Sequence, residues 1–298
     1  MRFRTVWTLM MVVWFALALG ERAVAAGRVE FRQSAPSPAL GRPVPYAIYI
    51  PGAEPPAGER WPVLYLLHGL TGRDGDWFSW GNLATILDRL IASGEIQPLV
   101  VVAPGVGDSW YVDNPDPDGL GKVATALTRD LIPAIDARLP TASCREGRAI
   151  GGLSMGGYGA LYLSLTHPDL FEAAISLSGA IAEPMRPGDP RLEAPFIRDL
   201  YKGAYGEPLD PERFNALNLF TIGAGPASGP RPEIWMAIGR QDYPELIRAG
   251  DRLARLLEKN GFSVEQRGGE GRHFWDYWQR AIEPAFVWLS PRLATRCE

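Results

Sequence analysis

The chain has 298 residues, 46% hydrophobic and 21% charged, with 33 glycines and 27 prolines. That balance suits one large α/β domain and excludes a disordered or repeat chain. A formal net charge of -4, a pI of about 5.6 and the absence of a basic cluster argue against nucleic acid as a partner.

Arg2 and Arg4 precede an apolar run over residues 6–19, and small residues follow at Ala23-Val24-Ala25. A positive start, a short apolar stretch and an A-x-A site are the pattern of a secretory signal peptide. The run falls short of the roughly 20 residues that span a bilayer, so no stable membrane span is expected after cleavage. The mature domain then occupies residues 26–298, begins near Ala26 or Gly27, and is secreted or periplasmic. Cys144 and Cys297 are the only cysteines. An exported compartment permits them to pair, but sequence leaves the pairing open. Neither lies in a Cys/His cluster, so no metal site is expected.

Residues 44–50 alternate and close at Pro51-Gly52, which predicts an early antiparallel strand. Residues 62–67 form a continuous apolar run, the signature of a strand buried on both faces, and it ends in His68-Gly69-Leu70-Thr71-Gly72. The turn over residues 74–80 carries Trp77, Phe78 and Trp80, rings that either wall a pocket or pack beneath the loop, and a helix is predicted over 82–93. A second buried strand spans 99–104. Its exit loop over 105–117 holds Trp110 and Asn114, two candidate substrate contacts, because loops leaving the carboxyl ends of parallel strands are where such sheets bind ligands. A long helix follows over 120–139, with Pro133 as a kink or boundary.

Gly152-Leu153-Ser154-Met155-Gly156 then reads G-x-S-x-G between the apolar Ala149-Ile150 and a helix-patterned segment. A serine at a sharp strand-to-helix corner needs neighbours without side chains, so that the backbone turns and Oγ projects into open space. Ser154 is the candidate nucleophile. Acyl transfer through serine generates a tetrahedral oxyanion that requires preorganised N–H donors. One comes from the residue after the nucleophile and one from the loop after an early strand, positions held by Met155 and Leu70.

Another strand is predicted over 173–179, followed by a proline-rich insertion over 180–232 that reads as a cap. Phe196, Tyr201, Tyr205 and Phe220 give it apolar surface with which to pack. Residues 233–239 are a further buried strand, with Asp242 just past its carboxyl end. A helix over 244–260, a last strand over 262–266, a glycine-rich loop over 268–273 and a closing helix over 275–289 complete the chain.

Three histidines allow the base to be chosen by elimination. His68 abuts the oxyanion loop, His167 ends the helix after Ser154, and His273 alone follows a strand downstream of an acid. The order Ser154, Asp242, His273 is the one used by α/β hydrolases. Asp276 is the rival acid, three residues from His273 on a helix.

Gly152-Leu153-Ser154-Met155-Gly156-Gly157, His68-Gly69-Leu70-Thr71-Gly72 and residues 271–278 together resemble the putative-esterase family, which includes esterase D, S-formylglutathione hydrolases, feruloyl esterases and mycolyl-transferring antigens. The likeness covers nearly the whole mature chain. It implies an α/β-hydrolase fold: a central, mostly parallel twisted sheet with helices on both faces and a small cap. It also implies a nucleophile at Ser154, an acid at Asp242, a base at His273 and oxyanion donors at Leu70 and Met155. The expected activity is hydrolysis of small-molecule acyl or aryl esters without metal or cofactor. An acyltransferase built on the same three residues, or a non-catalytic binding homologue, would share these motifs. The signal peptide departs from the cytosolic S-formylglutathione hydrolases and weakens a glutathione-linked reading.

Overall fold

The computed structural model describes residues 25–114, 116, 119–225 and 229–297. The expected signal peptide lies outside the described residues, apart from Ala25. Eight strands, β1 (Arg28–Ala35), β2 (Val44–Ile50), β3 (Val63–Leu67), β4 (Val100–Pro104), β5 (Arg148–Leu153), β6 (Ala173–Leu177), β7 (Glu233–Gly239) and β8 (Val264–Gly269), join in one sheet of order β1-β2-β4-β3-β5-β6-β7-β8. β2 pairs antiparallel with β1 and β4, and the remaining pairs are parallel. This is the α/β-hydrolase architecture that the motifs imply.

Every residue of β3, β4, β5 and β6 is buried, because helices cover both faces of a parallel sheet and leave no wet side. Alternate residues serve two cores. Val63, Tyr65 and Leu67 enter one, and Leu64 and Leu66 the other. Beyond the short helix α1 (Asp76–Ser79), α2 (Leu83–Ala92) places Leu83, Ile86, Leu87, Leu90 and Ile91 on one stripe. With the closing helix it covers the second core.

The helix expected over 120–139 is three pieces: α3 (Val123–Thr125), a π-helical turn (Ala126–Leu131) and α4 (Ile132–Arg138). Pro133 has no N–H to give to the carbonyl four residues earlier. The ladder slips just before it, where Ile132 N–H donates to Leu127 O. α5 (Met155–Thr166) packs on β5 and β6.

Between β6 and β7 come a 3-10 turn (Pro190–Glu193), α6 (Pro195–Tyr205), α7 (Pro211–Ala216) and α8 (Leu219–Ala224). Tyr201, Tyr205 and Phe214 pack on one another with centroids 5.1–5.6 Å apart. α9 (Pro244–Lys259) and α10 (Trp275–Leu289) complete the cover.

Two strand assignments differ from the sequence reading. β1 carries Arg28, Glu30, Arg32 and Gln33 and is half wet, so no apolar alternation announces it. The last strand runs to Gly269 instead of ending at Gln266, because the ladder with β7 continues through Ile238–Gly268 and Gly239–Gly269. Backbone pairing, blind to side chains, sets that boundary. Among the described residues no helix is long and apolar enough to cross a membrane.

Cys144 and Cys297 are joined, with Cα atoms 5.6 Å apart across 153 residues of sequence. The bridge fastens the carboxyl end beside the start of β5, where Ala294 N–H also donates to Glu146 O. Replacing both cysteines with serine is expected to lower unfolding stability by about 2–5 kcal/mol, since the open chain regains the entropy of a long loop. Urea unfolding of the oxidised wild type beside the double variant measures it, and equal midpoints would refute it.

Candidate active site

The elbow after β5 is strained in the way its glycines allow. Ser154 sits at φ 54°, ψ -118°, and its N–H donates to Leu177 O at 2.9 Å. A Cβ on Gly152 would lie 2.4 Å from Gly156 O, and one on Gly156 would lie 2.5 Å from Leu67 O. These two contacts close the corner and bring the start of α5 against the end of β3. Met155, the first residue of α5, and Leu70, in the loop after β3, therefore face the same space as Ser154. Among the described residues neither Leu70 nor Met155 donates its N–H to a protein acceptor.

The loop carrying Leu70 is braced from below. His68 is buried; its Nδ1–H donates to Gly69 O at 2.7 Å and its Nε2 accepts from Val106 N–H at 3.3 Å. Burial lowers its pKa, which keeps the ring neutral and able to do both. Tyr111 OH donates to His68 O at 2.8 Å, and Asp108 accepts from Thr71 N–H at 2.6 Å.

The candidate acid and base arrive from the neighbouring strand ends. Asp242 follows β7 and His273 follows β8, and their loops are fastened together by Arg240 N–H to Gly269 O, Gln241 N–H to Gly271 O and Gly271 N–H to Gln241 Oε1. His273 Nε2 lies 2.9 Å from Ser154 Oγ, and Nδ1 lies 2.9 and 3.2 Å from the two carboxylate oxygens of Asp242. An ionised carboxylate only accepts. Nδ1 therefore carries the proton, and Nε2 accepts from the serine hydroxyl. The Asp242 side chain is fully buried. Burial pushes its pKa up, but hydrogen bonds from His273 and Ser178, the charge of His273 and the Tyr243 N–H outweigh it, and the net shift is downward.

Ser178 and Trp278 belong to this network although the sequence reading assigned them no role. Ser178, at φ 46°, accepts from the Trp278 indole N–H at 3.0 Å, and its hydroxyl helps to hold the Asp242 carboxyl below the usual range. The Trp278 ring also meets the His273 imidazole edge to face at 5.1 Å. Ser178 is visible only once β6 is known to lie beside β7. Ser178→Ala is expected to lower kcat by roughly tenfold through a less fixed Asp242. It should also cost about 1–3 kcal/mol of stability, because the buried indole N–H loses its acceptor. Initial rates and urea melts test both, and wild-type values in the two would contradict the network.

A cavity of about 860 Å³ opens above Ser154 and His273, between the cap, α9 and the start of α10. Trp110 lines it, but mainly anchors the cap: its indole N–H donates to Leu200 O at 2.9 Å, and its ring lies 4.7 Å from that of Tyr201. Asn114 is not among the described residues that line the cavity. It is buried, accepts from Asp116 N–H at 2.9 Å and packs against Gly119. The aromatic turn divides: Trp77 is buried and donates to Leu67 O, while Trp80 lines the cavity. His167 caps the far end of α5, and exposed Asp276 faces Arg280. Among the described residues no group of three or more His, Cys, Asp or Glu is gathered as a metal site.

Comparison with known proteins identifies the family. The family model described as Putative esterase matches residues 37–289. An acetyl esterase of Caldicellulosiruptor saccharolyticus is 29% identical over 78% of this chain and 84% of its own. A diacylglycerol acyltransferase/mycolyltransferase of Mycobacterium leprae is 31% identical over 84% of this chain and 79% of its own. Among solved structures, a ferulic acid esterase superposes with TM-score 0.68 at 25% identity, covering 90% of this chain and 98% of the other. With its motifs, its sheet order and a match over most of its length, the chain belongs to the putative-esterase family and is a carboxylic ester hydrolase of the α/β-hydrolase fold.

Proposed function

We propose that the protein is an exported serine carboxylesterase that hydrolyses acyl or aryl esters through Ser154, His273 and Asp242 and an acyl-enzyme intermediate. The observation that carries this reading is the unbroken hydrogen-bonded series from Ser154 Oγ through the imidazole to a buried carboxylate, at the floor of an open cavity. A serine hydroxyl is a poor nucleophile until a neutral imidazole removes its proton. As Oγ attacks the ester carbonyl carbon, the proton passes to His273 Nε2. Asp242 stabilises the imidazolium and fixes the tautomer. The oxyanion takes the N–H groups of Leu70 and Met155, the latter at the positive end of α5. Collapse expels the alcohol, which leaves with the proton from Nε2, and water repeats the sequence to release the acid. The amino-terminal pattern supports export.

Hydrolysis of p-nitrophenyl acetate and butyrate by the purified mature protein tests the activity, and no turnover of either would defeat it. The likeness to the mycolyltransferase favours a second reading, in which an alcohol replaces water as acyl acceptor. Product analysis with trehalose present separates them: free acid alone supports the hydrolase, and an acylated sugar supports the transferase.

A further inference from the structure

The two N–H groups proposed for the oxyanion are not held alike. Met155 begins α5, whose helix fixes its backbone, whereas Leu70 sits in a loop outside any helix or strand. In a planar trans peptide the N–H and C=O point opposite ways, so the Leu70 N–H is aimed by whatever holds Gly69 O. That oxygen accepts from His68 Nδ1–H at 2.7 Å and from Gly72 N–H at 3.0 Å. Both donors belong to the same short loop. They fix the peptide within the loop, and something else must fix the loop to the rest of the molecule.

The loop leaving β4 does this. Tyr111 OH donates to His68 O at 2.8 Å, Asp108 Oδ1 accepts from Thr71 N–H at 2.6 Å, and Val106 N–H donates to His68 Nε2 at 3.3 Å. The first two bonds grip the backbone on both sides of the Gly69–Leu70 peptide. The gripping loop is itself held in an unusual shape. Trp110 and Tyr111 are consecutive non-glycine residues in the left-handed region, at φ 53° and 58°, a conformation that persists only where the surroundings over-determine it. A Cβ on Gly159 would lie 2.4 Å from Tyr111 Cδ2, so glycine at that point of α5 gives the ring its seat. Tyr111 is fully buried, and neither it nor Asp108 is among the described residues that line the cavity, so their reach to the reaction runs through Leu70.

We propose that Tyr111 and Asp108 are positioning residues for ester hydrolysis: together they clamp the loop after β3 from outside and so set the aim of the Leu70 N–H at the forming oxyanion. The inference rests on the esterase reading above and adds to it the source of one donor's alignment. An oxyanion donor stabilises the transition state far more than the bound ester, so a loosened clamp lowers kcat and leaves KM nearly alone.

Turnover of p-nitrophenyl acetate is measured beside inhibition by trifluoroacetone, whose ketone carbon takes Ser154 Oγ and becomes a tetrahedral oxyanion. Tyr111→Phe, which keeps the ring, and Asp108→Ala are each expected to lower kcat roughly tenfold, less than the loss of a whole donor, with KM within about twofold of wild type. Affinity for the ketone falls by the same factor as kcat/KM. Asp108→Asn keeps an acceptor oxygen and restores most of the rate. Asp108 is only half-buried, so its two variants carry the test even if Tyr111→Phe fails to fold. Thr125→Val is the control: it removes a bond to Asp113 Oδ2, 2.6 Å long, further along the same loop, so its melting temperature falls while rate and ketone affinity hold. Three results overturn the clamp while wild-type turnover leaves the esterase reading standing: a fall in kcat with no matching fall in ketone affinity, an unchanged kcat in both Tyr111→Phe and Asp108→Ala, or an equal loss in Thr125→Val. No turnover and no ketone inhibition in the wild type removes both.

Discussion

Ser154→Ala is expected to lower kcat on p-nitrophenyl acetate on the order of a millionfold, to a residual rate set by the oxyanion donors and binding alone. Among the described residues the hydroxyl within hydrogen-bond distance of the imidazole, at 2.9 Å, is Ser154 Oγ. The fold should survive the change. The backbone of residue 154 is held by its N–H to Leu177 O and its carbonyl to Ala180 N–H, and neither bond involves the side chain. Thermal melts of the variant should therefore stay close to wild type while the rate and labelling by a fluorophosphonate both vanish. Equal rates in variant and wild type would end the case for a serine nucleophile.

Asp242→Asn should cost about ten-thousandfold in kcat. An asparagine that turns its NH₂ towards His273 Nδ1 forces the ring proton onto Nε2, where it can no longer accept from Ser154. The shape of the site is kept and the direction of the proton path is lost, so KM should move far less than kcat. Stability changes with pH in a defined direction. The folded pKa of Asp242 lies below the ordinary 3.8. Its contribution to stability is therefore complete above about 3.8 and is lost as pH falls through the lower folded value. The urea midpoints of wild type and Asp242→Asn should differ most near neutral pH and converge in acid. A gap that widened as pH fell would contradict the hydrogen bonds drawn to this carboxylate.

The amino-acid sequence alone was enough to locate Ser154, because the chemistry of a strained corner is local: glycines at 152 and 156 are required by contacts of 2.4 and 2.5 Å with nearby backbone. Asp242 and His273 were legible as candidates through their order in the chain and their positions after apolar strands, and the structure brings both to Ser154; Leu70 and Met155 were candidates through what an oxyanion needs, and both line the cavity at Ser154. The half-wet β1, the π-turn before Pro133 and the end of β8 were not, since pairing and ladder slippage leave weak marks on side-chain pattern. Asn114 is a candidate from the kind of loop it sits in, and its contacts with Asp116 and Gly119 could be read only from the structure.

What tertiary structure alone decided is everything that depends on which strand lies beside which. Ser178 meets Asp242 because β6 is the neighbour of β7, Trp278 meets Ser178 because α10 folds back over that edge, and Cys297 reaches Cys144 because the chain ends where β5 begins. Short-range rules of turn and periodicity are written into consecutive residues, whereas contacts between distant segments arise from how two apolar cores are filled at once. No stretch of sequence contains that packing by itself.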